Sequence, residues 1–200
     1  RTVSYLGRLN YNLYDRYMLT ATGRYDGSSV LAEDNRWGFF PSFSLAWRVN
    51  QEEFLKDVDW LSNLKLRAGY GQTGNAGSNI EYIATYIQDN TGELYQAKMG
   101  NPDLVWETNW QINGGIDFGF INNRISGSFD AYLKRNNDLI LTGTPGSTIA
   151  PNNDFYTKPS QVNTGSIENT GFELALTWND HIGKDFSYNI GVNFATNKNK

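Results

Sequence analysis

The sequence predicts an all-β chain, an antiparallel up-and-down sheet of about eight strands, and three observations carry that prediction. Apolar and polar side chains alternate along segments of about ten residues, the pattern of a strand with one dry and one wet face. The links between these segments are by turns short and long. With 14% aromatic residues, 20 glycines and 19% charged residues, the chain is too aromatic for disorder and too glycine-broken for a helical bundle.

The first strand sets Val3, Tyr5, Gly7, Leu9, Tyr11 and Leu13 against Ser4, Leu6, Arg8, Asn10 and Asn12, and residues 14–16 leave room only for a tight turn. The second, 17–26, puts Tyr17, Leu19, Ala21, Gly23 and Tyr25 opposite Met18, Thr20, Thr22, Arg24 and Asp26, then opens into a longer link over 27–40. Strand three carries Pro41, Phe43, Leu45, Trp47 and Val49, with Pro41 acceptable as a first residue because no ladder bond is asked of it there. Phe54, Val58 and Leu61 then recur at helical spacing, which predicts a short helix within 50–63. Strand four has Leu64, Leu66, Ala68 and Tyr70 on one face and Lys65, Arg67, Gly69 and Gly71 on the other, turns at 71–75, and leads into the longest link, about 72–103.

Strand five, about 104–119, places Trp106, Thr108, Trp110, Ile112, Gly114, Ile116 and Phe118 on the apolar side, and Asn122 and Asn123 centre the short turn that follows. Strand six sets Ile125, Gly127, Phe129, Ala131 and Leu133 against Ser126, Ser128, Asp130, Tyr132 and Lys134. A link rich in Gly, Pro, Asn, Ser and Thr covers about 142–165. Strand seven offers Phe172, Leu174, Leu176 and Trp178, residues 179–185 turn, and strand eight offers Phe186, Tyr188, Ile190, Val192 and Phe194.

Odd links are short and even links long, so one end of the meander has compact turns and the other large loops, as in an outer-membrane barrel. Aromatic residues gather near both ends: Tyr14, Tyr17, Trp47, Phe118, Trp178 and Phe186 at the turns, Tyr25, Phe43, Tyr70 and Trp106 at the loops. Two membrane interfaces select such girdles, because these rings are apolar in body and, in Trp and Tyr, polar at the tip. A mean hydropathy of -0.54 does not oppose this, since alternating strands keep the average low. A soluble β-sandwich also hides one strand face; strand length and link asymmetry favour the barrel over it.

Other classes fit less well. A net charge of -4 without a basic cluster argues against nucleic acid. There is no cysteine to staple a secreted fold. His181 stands alone in a turn, so no metal and no catalytic triad is expected, and Glu33 with Asp34, or Asp89 with Glu93, read as solvated loop acids rather than a glycosidase pair. The glycines of 69–74 imitate a phosphate loop, yet no helix follows them. No catalytic role and no cofactor are therefore expected. The loop aromatics Trp37, Tyr82, Tyr86, Tyr95, Phe155 and Tyr156 are the candidate ligand contacts, the alternative being that they pack the loops on themselves.

Four segments resemble hallmarks of the SusC/RagA family of TonB-dependent outer-membrane transporters. They are Arg24-Tyr25-Asp26-Gly27-Ser28-Ser29, Phe40-Pro41-Ser42-Phe43-Ser44-Leu45-Ala46-Trp47-Arg48-Val49, Leu64-Lys65-Leu66-Arg67-Ala68-Gly69-Tyr70-Gly71-Gln72-Thr73-Gly74-Asn75, and Ile167-Glu168-Asn169-Thr170-Gly171-Phe172-Glu173-Leu174. With Trp60-Leu61-Ser62-Asn63 they spread the resemblance over nearly the whole chain. It implies that residues 1–200 are part of the later portion of a transmembrane barrel of about 22 strands. The plug domain and the TonB-interacting segment would then lie outside this chain, and residue 1 being Arg, any signal peptide is expected to be removed or far upstream.

The resemblance further implies uptake of large nutrients, oligosaccharides or peptides, across the bacterial outer membrane of Bacteroidota-type organisms. The implied partners are a SusD/RagB-like surface lipoprotein, the TonB complex, the ligand and membrane lipid. Two other readings fit the same alternation. One is a complete eight-stranded structural or adhesion barrel, against which stands the ending Asn197-Lys198-Asn199-Lys200 without a terminal aromatic. The other is a soluble carbohydrate-binding sandwich.

Overall fold

The computed structural model describes residues 1–77, 82–88, 90–98, 100–142 and 161–200. Among these described residues twelve strands run in the order β1 (Thr2–Leu13), β2 (Tyr17–Ser28), β3 (Trp37–Arg48), β4 (Leu61–Asn75), β5 (Thr85–Gln88), β6 (Leu94–Lys98), β7 (Glu107–Phe120), β8 (Ile125–Asn137), β9 (Ile140–Thr142), β10 (Gln161–Asn163), β11 (Ser166–Ile182) and β12 (Phe186–Asn199). Eight of them form one antiparallel sheet, β1-β2-β3-β4-β7-β8-β11-β12, while β5 with β6 and β9 with β10 make two-stranded sheets. The sheet is open: β1 and β12 each pair on one side only. It is neither a closed eight-strand barrel nor a sandwich of two packed sheets.

Register turns the strand-by-strand alternation into two continuous faces. Across one row Tyr11, Leu19, Leu45, Ala68, Gly114, Ala131, Phe172 and Thr196 stand side by side. The neighbouring row reads Asn10, Thr20, Ser44, Gly69, Asn113, Tyr132, Gly171 and Asn197. A slip of one residue in any pair would interrupt both faces, so the sequence pattern and the pairing hold each other in place. Large apolar side chains on the first face stay exposed, Leu9 at 62% and Ile112 at 50%, which marks it as a surface made to be covered.

The main strands, 12 to 17 residues long, outrun the segments of about ten that alternation picks out. Residues 71–75 do not turn but extend β4, pairing with β7 from Gly71↔Gln111 to Asn75↔Glu107. His181 likewise lies in β11, opposite Ser187, and the turn is confined to 183–185. Beyond the apolar band both faces are polar, so periodicity fades although the ladder continues.

Pro41 sits inside β3 rather than at its start. It is tolerated because pairing with β4 begins only at Ser42↔Gly71, the next residue, so its missing N–H falls where β3 has one neighbour. The helix expected in 50–63 is absent. Residues 49–51 make a three-residue 3-10 turn, and Glu52, Leu55, Val58 and Leu61 each donate N–H to the carbonyl three residues earlier, giving a chain of single turns. This third link, 49–60, is also longer than the second, 29–36, so the alternation of short and long links is weaker than the sequence suggests.

The core is small and lies at the loop end. Leu31, Phe40, Ala76, Leu104 and Trp106 are buried together, with Val30 and Ile140 packed against them. Trp106 is therefore not part of the loop-end girdle. It precedes β7, meets the Phe40 ring edge-on at 5.4 Å and donates its indole N–H to the Arg36 carbonyl at 3.2 Å.

Candidate functional site

The polar face of the sheet holds the charged chemistry. Arg67 on β4 donates Nε to both oxygens of Asp117 on β7, at 3.1 and 3.0 Å, and Nη2 to Asp117 Oδ1 at 2.7 Å. The same Nη2 reaches Asp130 on β8 at 3.0 Å. Lys65 Nζ approaches the other side of Asp117 at 2.8 Å. Arg67 faces Gly115 in the register, and the absence of a side chain there lets the guanidinium lie across β7 to reach Asp130. Three strands are stapled by one fork, the bidentate geometry for which arginine is suited and lysine is not.

Beside the staple the wall is stripped. Gly69, Gly71, Ser42 and Ser44 floor a depression of about 630 Å³ whose rim carries Thr20, Thr73, Asn109, Gln111, Asn113 and Lys134. A second hollow of about 330 Å³ is lined by Gln111, Asn113, Asp130, Tyr132, Lys134 and Glu173. Amides, hydroxyls, Lys134 and Glu173 offer hydrogen-bonding groups there beside apolar patches such as Met18 and Ala46, and among these lining residues none forms a nucleophile with its base. Among the described residues no group of three or more His, Cys, Asp or Glu is placed to hold a metal. His181 is exposed at the end of β11, and Glu33 and Asp34 are exposed on a 3-10 turn; Asp89 lies outside the described residues.

The candidate ligand aromatics separate. Trp37 is not in a loop: it opens β3 on the apolar face, stacked on Tyr25 at 4.9 Å with Tyr5 at 6.2 Å. Its place is in the loop-end girdle. Tyr86 is on β5, 62% exposed, Tyr82 precedes that strand and Tyr95 lies on β6. Phe155 and Tyr156 lie outside the described residues. The girdle at the turn end has Tyr17 stacked on Trp47 at 6.3 Å and Phe120 between Phe118 and Trp60 at 5.5 and 5.7 Å.

Sequence reasoning missed two devices. The staple needs Arg67, Gly115, Asp117 and Asp130 in register; opposite charges on the polar faces of strands four, five and six were the available signal. The second is the tie between the long links. Asn163 Nδ2 donates to the carbonyls of Val105 and Asp138 at 2.9 and 2.8 Å, and Glu107 accepts from Asn75 Nδ2 and Ile140 N, both at 2.7 Å. Asparagines scattered in loops give no signal of this.

A sheet of long strands with one apolar face, one polar face and girdles at both ends is the wall of a membrane barrel, and the model of the TonB dependent receptor-like β-barrel matches residues 1–200. The chain belongs to this family. It is 40% identical over 210 residues to the TonB-dependent receptor SusC of Bacteroides thetaiotaomicron, covering 99% of this chain and 20% of that protein. A TonB-dependent receptor of Formosa agariphila is 34% identical over 205 residues, again with 98% and 20% covered. Among solved structures, the RagAB peptide importer in its open-open state superposes with a TM-score of 0.88 at 30% identity, over 99% of this chain and 22% of that one. The chain thus spans about a fifth of the length of these relatives. Strands of outer-membrane barrels alternate lipid-facing and lumen-facing residues, so the apolar face of this wall is the one suited to lipid and the polar face, with the staple and both hollows, the one suited to a lumen.

Proposed function

We propose that this chain is a wall segment of an energy-coupled importer of large nutrients, oligosaccharides or peptides, in the bacterial outer membrane. The observation that carries the proposal is the predominantly polar face that runs across eight paired strands, hollowed where Gly69, Gly71, Ser42 and Ser44 leave room. A wall that only had to insert in lipid would gain nothing from that inner surface. Membership of the family that includes SusC, and likeness to a peptide importer, support the same reading.

In this reading residues 1–200 are part of the barrel domain, and the plug and TonB-interacting segments belong to the rest of the protein. A SusD/RagB-type lipoprotein caps the loop end, where Tyr82, Tyr86, Tyr95, Phe155 and Tyr156 are the ligand-contact candidates. Trp37, on the apolar face, is placed to meet lipid instead. The test is uptake by intact cells of fluorescent maltooligosaccharides and of a labelled oligopeptide mixture, with and without the parent gene and with the TonB complex inactivated. Import that needs both the gene and the TonB complex is the expected result. Equal import of both cargo classes in all strains would defeat the proposal.

A further inference from the structure

The 49–60 link is the long member of the turn end, and its course is unusual. Instead of projecting into water it is tied back onto the apolar face. The Glu52 carboxylate accepts from the Tyr17 hydroxyl at 2.6 Å and from the Trp47 indole N–H at 2.9 Å, and both rings belong to the turn-end girdle. Arg16 Nη1 closes the same carboxylate from the preceding turn at 3.3 Å. Two residues on, Phe54 is 69% exposed, and at the end of the link Trp60 is 61% exposed against Phe120. Those values match rings on the lipid face, such as Phe39 at 60% and Phe186 at 58%.

Such exposure would be costly on a turn surrounded by water, and the flanking residues do not hide it. Glu53, Asp57 and Asp59 with Lys56 give the link a polar side, and no basic cluster that would require an anionic surface. Aromatic rings beside mixed charges are the composition of a membrane–water boundary. The apolar face that continues into this link through Phe118, Phe120 and Trp60 is the one that the barrel reading above turns to lipid.

We propose that the 49–60 link is a membrane-interface anchor that seats Phe54 and Trp60 in the zwitterionic phospholipid headgroup layer on the turn side, with Glu52 as the residue that positions it. The proposal rests on the barrel reading above and goes beyond it, because a turn of an ordinary barrel need only connect two strands. Mechanically it fixes the height of β3 and β4, the strands on which the luminal depression is built, relative to the bilayer.

The experiment uses the full-length receptor in phosphatidylcholine vesicles, with any cysteines outside this chain replaced. Phe54→Cys carries an environment-sensitive fluorophore and is quenched in turn by a headgroup nitroxide lipid, a chain-end nitroxide lipid and aqueous iodide. Ile112→Cys and Asn113→Cys are the references for hydrocarbon and lumen. The expected order at position 54 is headgroup quencher first, with iodide weaker than at 113. Adding Glu52→Ala should abolish that headgroup preference and raise iodide quenching at 54 while leaving 112 unchanged. Iodide quenching at 54 equal to that at 113, with 112 still quenched from the chain end, overturns the anchor and spares the barrel. A headgroup preference untouched by Glu52→Ala overturns the role given to Glu52. If 112 is not quenched by lipid, the barrel reading fails and the anchor with it.

Discussion

The two ends of the sheet solve the same problem, joining antiparallel strands, by different physics. At the turn end the backbone does most of the work. Tyr14 and Asp15 adopt positive φ in a two-strand connection, and Ile121, Asn122 and Asn123 do so in another, so the strands reverse within a few residues. Polar side chains then cap the turns, as when Arg124 pairs with Asp180 and Glu52 gathers Arg16, Tyr17 and Trp47. At the loop end the described parts of the second and fourth links are joined by apolar packing as well, which offsets more of the entropy of ordering them than isolated polar contacts do. The buried groups are Leu31 from the second link, Ala76, Leu104 and Trp106 from the fourth, and Phe40 from β3, where it fills the wedge in which β3 and β4 part. The loop end thus has a small core of its own, whereas the turns at 14–16 and 121–124 rely on φ angles and caps and the 49–60 link on the contacts of Glu52.

The strongest way to break this contrast is to empty the knot. Phe40→Ala should remove about 3–5 kcal/mol of local stability, the usual cost of deleting a buried ring. Hydrogen exchange should then quicken across 29–36 and 100–106 while the amides of 14–16 and 121–124 keep their rates. Uniform loosening of both ends would show that they are not independent.

The wall between the ends supplies the next effect. Ile112→Arg should cost about 2–4 kcal/mol in vesicle-reconstituted full-length protein, the charge on the lipid face having no water, and Asn113→Arg far less because the lumen hydrates it. Denaturant unfolding, or heat-modifiable migration where unfolding is irreversible, reads the difference. Equal costs would contradict the face assignment that both ends share.

A smaller effect is expected from the staple. Arg67→Met leaves Asp117 and Asp130 facing each other with only Lys65 beside them, a loss of about 1–3 kcal/mol for charged groups left without their donor. Asp130→Asn in the same chain should recover part of it, and that non-additivity in a double-mutant cycle distinguishes the staple from simple packing. The smallest effect belongs to the turn end. Donation by the Tyr17 hydroxyl, then by the Trp47 indole and the Arg16 guanidinium, holds the Glu52 carboxyl below the usual carboxylate range. A carboxyl whose pKa is lower folded than unfolded stabilises the fold above its unfolded pKa, and that contribution is lost as pH falls through the folded value. Protection of the 49–60 amides should therefore decline on acidification below the ordinary carboxylate range, and Glu52→Gln should flatten the response. Amides in the Phe40 knot should show no such dependence.

By itself the sequence determined which residues share the apolar face and which the polar face, from Leu9 and Ile112 to Asn10 and Asn113. Alternation is a local property of an extended chain, and a bilayer on one side punishes each exception separately. It also located the turns at 14–16 and 121–124, where residue types such as Asn122 and Asn123 accept positive φ, but not at 71–75, where β4 continues. Tertiary structure decided what depends on a second strand. Arg67 finds Asp117 and Asp130 only when β4, β7 and β8 adopt their register, and Trp37 joins Tyr25 only because β3 runs past Pro41 beside β2. Trp106 fits the apolar alternation of a strand, yet it is drawn into the knot by Phe40 and by the Arg36 carbonyl, partners about 70 residues away in the chain. Residues 50–63 carry a helical spacing that never becomes a helix, because Glu52 gains more from Tyr17, Trp47 and Arg16 than a few isolated turns of helix could return in water.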